Sequence, residues 1–335
     1  MTELVFHACT DGTRLGLGGA PLGNLFAPVP DAQARELLAQ VWADGGRCYD
    51  TAPHYGHGLS ERRIGDALRA QPRQHYTLSS KVGRLLRPDA AAPAEQHSYV
   101  QTLPFVQHWD FSAAGVRRSV EDSLQRLGLA RLDAVFLHDI DVAGPAAQVL
   151  PQVIDEALPT LHQLRREGLV GAVGLGVNDQ AVVRQLLAHA DLQALLLAGR
   201  YSLLDPSALD LLPELGRRQV ALALGGVFNS GILAQRLQPG QTPTFNYARA
   251  PQPWLDKALH LQAVCDRHQT PLPAAALQFV LAHPQVQMVL LGVRHTHEWQ
   301  LARAHARQPI PAALWAELVH EGLLPAHAPT PAEAA

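Results

Sequence analysis

The sequence repeatedly places a short apolar run before a polar loop and then a stretch with helical spacing. This order is typical of parallel β/α units, because parallel strands need a long crossover connection, usually a helix. Eight such units occur, and eight close a barrel better than they extend a doubly wound sheet. We therefore predict a single (β/α)8 TIM barrel. Its predicted strands are Leu15–Gly19, Arg47–Asp50, Thr77–Lys81, Ala134–His138, Ala172–Val177, Ala194–Leu197, Val220–Leu224 and Met288–Leu291.

Helical spacing separates these strands, and one extra helix is predicted between the seventh and eighth units, over Leu272–Ala282. Before the barrel, Val5–Cys9 and Thr13–Leu17 flank the turn-forming Asp11-Gly12, which predicts a β-hairpin that plugs the barrel floor. The other predicted helices are Asp31–Ala43, Ser60–Arg69, Ser112–Leu127, Asp155–Glu167, Asp179–Ala188, Ala208–Arg217, Leu255–His268 and Thr296–Ala306.

Two segments are too long to be plain connectors: Gly83–Phe111 after the third strand and Gly225–Pro253 after the seventh. Both follow the carboxyl ends of strands, the face where barrel enzymes carry their sites, so we expect substrate and cofactor loops. The barrel domain is predicted over residues 1–324. Residues 325–335, rich in Pro and Ala, are expected to form a mobile tail.

Composition excludes several classes of protein. Hydrophobic residues make up 47% of the chain and charged residues 17%, which argues against a disordered chain. The net charge is −3 and no basic block occurs, so nucleic acid is not an expected partner. No signal peptide or membrane span is predicted. Three widely spaced cysteines suggest neither disulfides nor a metal site, and we expect a cytoplasmic protein.

Polar residues end four of the predicted strands. Asp50 ends the second strand, Lys81 the third and His138 the fourth, while Asn178 closes the fifth. Tyr55 follows Asp50 by five residues, on the loop above it. Because the carboxyl ends of barrel strands meet at one mouth, these side chains are expected to converge there.

A tyrosine beside a lysine and an aspartate has a definite chemical use. A phenol is a poor acid or base at neutral pH until a nearby ammonium group stabilises the phenolate. Lys81 would supply that charge, with Asp50 as its counter-ion, and His138 would bind the substrate oxygen. The set predicts proton transfer to or from an oxygen at Tyr55. Two alternatives stay open: Asp50 and Lys81 as a purely structural ion pair, or Lys81 as a Schiff-base nucleophile of a lyase.

These residues, in this order, resemble the aldo-keto reductase superfamily over about residues 15–307. The resemblance implies one (β/α)8 barrel, a nicotinamide cofactor without a Rossmann domain, and Asp50, Tyr55, Lys81 and His138 as the catalytic residues. It rests on Asp50-Thr51-Ala52-Pro53-His54-Tyr55-Gly56, Ser79-Ser80-Lys81-Val82-Gly83, Leu137-His138-Asp139 and Gly174-Leu175-Gly176-Val177-Asn178.

Further segments, such as Gly83-Arg84-Leu85-Leu86 and Gly226-Val227-Phe228-Asn229-Ser230-Gly231, resemble the sugar 1-dehydrogenase group of this superfamily. That group includes L-fucose (D-threo-aldose) and L-galactose dehydrogenases, with pyridoxal 4-dehydrogenase as a relative. The resemblance implies oxidation of an aldose hemiacetal, of the L-fucose, D-arabinose or L-galactose type, to a lactone. Pyridoxal oxidation, general aldehyde or ketone reduction, and a nicotinamide-binding regulatory subunit are the alternatives. A monomer or weak homo-oligomer is expected.

The resemblance also implies binding residues. Ala198 stands where many members carry a Gln that binds the nicotinamide carboxamide, and Leu224-Gly225-Gly226 replaces the usual stacking aromatic residue. Glu298 stands where an Arg often lies; a carboxylate repels a 2′-phosphate, so NAD is favoured over NADP, although Arg294 could still hold a phosphate. The cofactor set is Gly19, Asp50, Asn178, Tyr201, Phe228, Ser230, Gly231, Gly292, Arg294 and Glu298, and the substrate set is His54, Tyr55, Trp109, His138, Asp139 and Arg200.

The 17 histidines include HxxH and HxH spacings, at His54 and His57 and at His295 and His297. Such pairs arise by chance in a histidine-rich chain, and no carboxylate or thiolate motif completes them. We therefore predict no metal site.

Overall fold

The computed structural model describes residues 5–238 and 240–331 and shows eight parallel strands closed into a barrel. Each strand pairs with the next, and the last pairs with the first through Leu15 and Val289. The predicted (β/α)8 barrel is confirmed. The strands β1–β8 span Leu15–Gly18, Cys48–Asp50, Thr77–Val82, Leu132–His138, Val170–Val177, Ala194–Ala198, Ala221–Gly225 and Val286–Leu291.

Eleven α-helices occur in the described residues, and most match the predicted bounds within a few residues. The extra helix before β8, Leu272–Ala282, is confirmed as predicted. A final helix, Ala312–His320, was not predicted. Among the described helices, none is both long and apolar enough to cross a membrane. The helices α1–α11 span Asp31–Ala43, Leu59–Leu68, Ala113–Leu127, Ala146–Gln152, Leu158–Arg166, Gln180–Leu187, Leu212–Arg217, Gln252–Arg267, Leu272–Ala282, Thr296–His305 and Ala312–His320.

The helical segment after β4 begins earlier than predicted. The sequence predicted one helix over Asp155–Glu167, but the structure runs from Ala146 through a π-helical turn at Val153–Ala157 to Arg166. Pro159 lacks an N–H group, so the carbonyl of the residue four positions earlier cannot receive its ordinary α-helical bond. A π turn just before a proline is a known way to re-pair such backbone groups.

The predicted N-terminal hairpin is wrong in part. The turn at Asp11-Gly12 forms, with Gly12 at a φ of 80°, and Cys9 N–H donates to the carbonyl of Thr13. Residues 5–9, however, form no strand. Their backbone bonds go to the barrel instead, since His7 N–H donates to Thr77 Oγ1 and Thr10 N–H to the carbonyl of Gly45.

The predicted plug of the barrel floor is nevertheless present. The side chain of Phe6 is 1% exposed and packs into a buried cluster inside the barrel. That cluster includes Phe136 of β4 and Met288 of β8, together with small residues such as Ala134 and Ala172. Small residues around the lower barrel leave the volume that the phenyl ring fills.

Both long loops carry secondary structure of their own above the strand ends. In Gly83–Phe111, Arg84–Pro88 pairs antiparallel with Phe105–Trp109. In Gly225–Pro253, Thr244–Phe245 pairs with Ala248–Arg249. Each hairpin holds the side chains of its own residues in fixed positions above the barrel mouth.

The prediction of a mobile tail falls partly on residues 332–335, which lie outside the described residues. Within the described part, Ala328 is buried at 8% exposure and packs against the core.

Replacing Phe6 by Ala tests the plug. We expect Phe6→Ala to lower the free energy of unfolding by about 3–5 kcal/mol, because a phenyl ring leaves a closed cavity. Phe26→Ala is the matched control, because Phe26 is 43% exposed and its loss should cost far less. Chemical denaturation of both variants measures the difference; equal losses would contradict a packed plug.

Candidate active site

A buried ion pair joins the ends of β2 and β3. Lys81 Nζ donates to Asp50 Oδ2 at 2.6 Å and to the carbonyl of Thr51 at 2.8 Å. The two charged side chains are only 2% and 4% exposed. Ser79 Oγ donates to the other carboxylate oxygen of Asp50 at 2.7 Å. The carboxylate is therefore satisfied on both oxygens, while an ammonium group has three protons to donate and two of them are used here.

The third side of the ammonium group faces Tyr55. Lys81 Nζ lies over the Tyr55 ring, 4.6 Å from its centroid. Burial raises the pKa of the Tyr55 phenol well above its usual value of 10, and the Asp50 carboxylate adds to this rise. The Lys81 ammonium acts in the opposite direction, because a nearby cation favours the phenolate. In the resting site Tyr55 therefore keeps its proton, with a cation in place to stabilise its loss.

Tyr55 is held by an unusually close approach of two backbone segments. Gly56, at a φ of 64°, touches Gly23 so closely that a Cβ there would lie 2.4 Å from the Gly23 carbonyl oxygen. On its other side, the Tyr55 ring stacks on Tyr99, with centroids 6.1 Å apart. Two glycines and an aromatic neighbour thus fix the phenol above the barrel mouth.

His138 ends β4 and lies beside Tyr55, with ring centroids 6.0 Å apart in an edge-on arrangement. Burial lowers the pKa of His138 well below its usual 6.5, and the charges of Lys81 and Arg84 lower it further. His138 is therefore neutral near pH 7. The structure brings together all four predicted catalytic residues, Asp50, Tyr55, Lys81 and His138.

The predicted substrate residues lie around His138. His54 packs against it, with ring centroids 5.7 Å apart. Asp139 Oδ2 lies 3.3 Å from His138 Nε2, and Trp109 lies beneath the guanidinium of Arg84, 4.0 Å from the ring centroid.

Arg200 lies at the edge of this region. Its Nη1 donates to Asn246 Oδ1 at 3.2 Å and lies 3.8 Å from Asp205 Oδ2. The side chain of Arg200 therefore anchors the tip of the second long loop.

Several predicted cofactor residues surround the same mouth but are engaged in structural contacts. Gly19 meets the β2 loop so closely that a Cβ would lie 2.5 Å from Ser60 Oγ. The Glu298 carboxylate accepts hydrogen bonds from the backbone of Arg294 and His295 and so caps α10. Tyr201 is 1% exposed and packs on Phe279, so its ring leaves almost no surface for a cofactor to cover.

Other members of the predicted cofactor set are more accessible. Gly231 has open space above it, whereas a Cβ at Gly292 would lie 3.1 Å from Pro21; Phe228 and Asn178 are half-buried. Ser230 Oγ accepts a hydrogen bond from Tyr247 N–H, which fixes the second loop above the mouth.

Two observations fit a nicotinamide dinucleotide at this mouth. The ends of β6 and β7 carry no side chain larger than a methyl group, because they are formed by Ala198, Gly225 and Gly226. This leaves a flat surface between the ends of the two strands. Arg294 Nε is buried without a hydrogen-bond partner among the described residues, so a donor for an anion is available.

Sequence reasoning missed four residues of the mouth: Arg84, Gln107, Tyr99 and Tyr247. Arg84 donates to Asp139, Gln107 binds His54, and Tyr99 packs edge-on against His54 with centroids 5.1 Å apart. Tyr247 meets Phe26 across the mouth at 6.1 Å between ring centroids. The one available signal was Arg84, a charged residue three positions after Lys81.

The histidines near the mouth, His54, His57 and His97, pack ring against ring at 5.7–6.5 Å between centroids. In residues 5–238 and 240–331, no group of three or more His, Cys, Asp or Glu side chains is arranged to hold a metal ion.

Fold and site together define a closed eight-stranded barrel with a buried Asp50–Lys81 ion pair, Tyr55 and His138 at its mouth. Residues 14–318 match the model of the aldo/keto reductase family. The chain belongs to this family, and it is an NAD(P)-dependent oxidoreductase.

Curated relatives are similar over nearly the whole chain. A D-threo-aldose 1-dehydrogenase of Pseudomonas sp is 38% identical, covering 93% of this chain and 94% of the relative. A pyridoxal 4-dehydrogenase of Microbacterium luteolum is 40% identical with the same two coverages. An L-galactose dehydrogenase of Arabidopsis thaliana is 30% identical over 84% of this chain and 80% of the relative.

Among solved structures, an aldo-keto reductase of Bacillus halodurans in its holo form is similar with a TM-score of 0.72. It is 23% identical and covers 92% of this chain and 91% of its own. This likeness supports the fold.

Removing one or both charges of the Asp50–Lys81 pair separates its structural role from its catalytic one. We expect Lys81→Met to lower the free energy of unfolding by about 3–5 kcal/mol, because Asp50 is left charged and buried. The double variant Asp50→Asn/Lys81→Met should recover most of that loss but stay at least about 100-fold below wild type in kcat. Denaturation and reduced-nicotinamide absorbance measure the two effects. A stable double variant with wild-type turnover would show that the pair is structural.

The pH dependence of stability tests the burial of His54. Burial, with the charge of Arg84, lowers the pKa of His54 to about 2. Below pH 6.5 the unfolded chain therefore binds a proton at His54 that the folded chain does not bind, so the free energy of unfolding falls as the pH drops. Between pH 7 and pH 5, His54 should lower the free energy of unfolding of the wild-type protein by about 2 kcal/mol. The decrease over the same pH range should be smaller by that amount in His54→Phe. Urea denaturation at both pH values measures the difference; identical pH dependence in the two proteins would refute it.

Proposed function

We propose that this enzyme is an aldose 1-dehydrogenase that oxidises C1 of a cyclic sugar hemiacetal to the lactone, with NAD as the preferred cofactor. The observation that carries the proposal is the Lys81 ammonium between Asp50 and the Tyr55 ring. Its support from relatives is the 38% identity to a D-threo-aldose 1-dehydrogenase and the 30% identity to an L-galactose dehydrogenase.

The reaction requires the C1 hydroxyl to lose its proton as C1 loses a hydride. When bound, the nicotinamide supplies the hydride acceptor that no side chain can provide. Tyr55 first loses its own proton to solvent, and the phenolate, stabilised by the charge of Lys81, then takes the hydroxyl proton. Because His138 is neutral, it binds the C1 oxygen as a hydrogen-bond partner and adds no second cation to the site.

Residues on the loops that follow β1, β7 and β8 would hold the cofactor. Gly225 and Gly226 leave space for the flat pyridine ring, and Ser230 and Gly231 lie on the second long loop. Arg294 offers its Nε to a phosphate group. The preference for NAD rests on Glu298, whose carboxylate lies beside Arg294 and disfavours an additional 2′-phosphate.

Pyridoxal is the second candidate substrate, because a pyridoxal 4-dehydrogenase is 40% identical to this chain. Pyridoxal also closes to an internal hemiacetal, so the same proton and hydride steps would apply. A Schiff-base lyase is disfavoured, because the Lys81 ammonium is held by two oxygen acceptors and is not poised as a neutral amine.

A substrate panel tests the proposal. Purified enzyme is mixed with NAD or NADP and with L-fucose, D-arabinose, L-galactose or pyridoxal, and reduced-nicotinamide absorbance is followed. We expect the highest kcat/KM with an aldose and NAD, and a lactone as product. Tyr55→Phe, which keeps the ring but removes the hydroxyl, should lower kcat by about 10²- to 10⁴-fold. Activity confined to pyridoxal or to simple aldehydes would overturn the aldose assignment.

A further inference from the structure

The proton and hydride steps leave one polar network of the mouth unused. It begins at His54, whose Nδ1 lies 2.9 Å from Gln107 Oε1, and continues through Arg84 Nη1, 3.5 Å from the same oxygen. Arg84 Nη2 then donates to Asp139 Oδ2 at 2.6 Å. The chain of contacts ends beside His138, so it borders the reacting position without taking part in proton transfer.

The network fixes which atoms of His54 can bind a substrate. Because Arg84 approaches Gln107 Oε1, that atom is the acceptor, and His54 must donate to it from Nδ1–H. The other ring nitrogen, Nε2, then carries a lone pair. The low pKa of His54, about 2, keeps the ring neutral and this acceptor available at any physiological pH.

Asp139 offers a second acceptor. Its Oδ2 is engaged by Arg84, but its Oδ1 receives no hydrogen bond from any described residue. Neither this oxygen nor His54 Nε2 is among the polar atoms sealed from solvent without a partner. Asp139 also adopts a φ of 48°, a left-handed conformation that favours Asp, Asn and Gly. The Asp139 carboxylate lies beside both Arg84 and His138.

The two acceptors, His54 Nε2 and Asp139 Oδ1, belong to residues on either side of His138, and both need hydrogen-bond donors from the substrate. A hydroxyl group donates a hydrogen bond, whereas an aldehyde or ether oxygen does not. A site built to bind substrate hydroxyls rejects analogues that lack them, because its acceptors are then desolvated without a partner.

From this geometry we propose that Asp139 and His54 are specificity-determining residues that accept hydrogen bonds from sugar hydroxyls next to the reacting carbon. Arg84 and Gln107 act as positioning residues for this acceptor pair. The inference rests on the proposed aldose oxidation and narrows it to polyhydroxylated hemiacetals.

Tetrahydropyran-2-ol is the probe that isolates this effect, because it has the same ring and the same hemiacetal hydroxyl as an aldopyranose but no other hydroxyl. We expect wild-type kcat/KM to be higher for L-fucose than for this probe. Asp139→Gly, which suits the left-handed backbone, and His54→Phe should each lower kcat/KM for L-fucose by about 10- to 100-fold. Both variants should lower kcat/KM for the probe by at least about tenfold less than for L-fucose, since the contact with His138 is lost for both substrates but the hydroxyl contact only for the sugar.

Three further variants sharpen the test. Asp139→Asn keeps a neutral acceptor and should retain more L-fucose activity than Asp139→Gly. Arg84→Met should reduce activity with L-fucose more than activity with the probe, a difference that a general loss of structure would not produce. His108→Phe is the control for His54→Phe. His108 lies on the same hairpin strand as Gln107 and Trp109, but its side chain is on the opposite face of that strand.

The outcomes are distinguishable. Wild-type enzyme that oxidises neither L-fucose nor another aldose would overturn the proposed function itself. Wild-type enzyme that oxidises L-fucose, with variants that lose equal activity toward both substrates or toward neither, would overturn the hydroxyl-recognition role. Activity toward the probe also reports that each variant is folded.

Discussion

The site depends on a lysine ammonium group held almost without solvent between a carboxylate and a phenol ring. Removing a charge from water costs several kcal/mol, and this cost is recovered only when the partners are well placed. Here Lys81 is surrounded by the Asp50 carboxylate, the Thr51 carbonyl and the Tyr55 ring. Ser79 donates a hydrogen bond to the second oxygen of the Asp50 carboxylate. Burial makes the ammonium charge act strongly on the groups around it, because little water is present to screen it. Besides its counter-ion Asp50, the titratable side chain against the ammonium group is Tyr55, whose ring centroid lies 4.6 Å from Lys81 Nζ.

The barrel explains why these groups can be so close. Asp50 and Lys81 stand on neighbouring strands whose register places Asp50 beside Ser79. The glycine pair Gly23 and Gly56 lets the following loop fold back over the strand ends. Small residues lower in the barrel admit Phe6, which closes the opposite end. The floor is therefore packed with apolar side chains, while the charged and polar side chains collect at the mouth.

Much of this could be predicted from the sequence, because it follows from local patterns. Short apolar runs indicate the strands and period-3.6 spacing the helices, and a polar residue at a strand end, such as Lys81 or His138, marks the mouth. Other features depend on distant pairing. Gln107 reaches His54 only because the Arg84–Pro88 and Phe105–Trp109 strands pair in one register. Phe6 leaves its predicted hairpin because the barrel floor offers it a better-packed site than a two-stranded ribbon would.

The most direct test of the central electrostatic claim is the titration of Tyr55 itself. The ζ-carbon of Tyr55, labelled with ¹³C, can be followed by NMR against pH in Asp50→Asn and in Asp50→Asn/Lys81→Met, which differ only in the lysine cation. We expect the phenol to lose its proton at lower pH in Asp50→Asn than in the double variant. Ionisation at the same pH in both proteins would show that the lysine does not prepare the tyrosine for proton transfer.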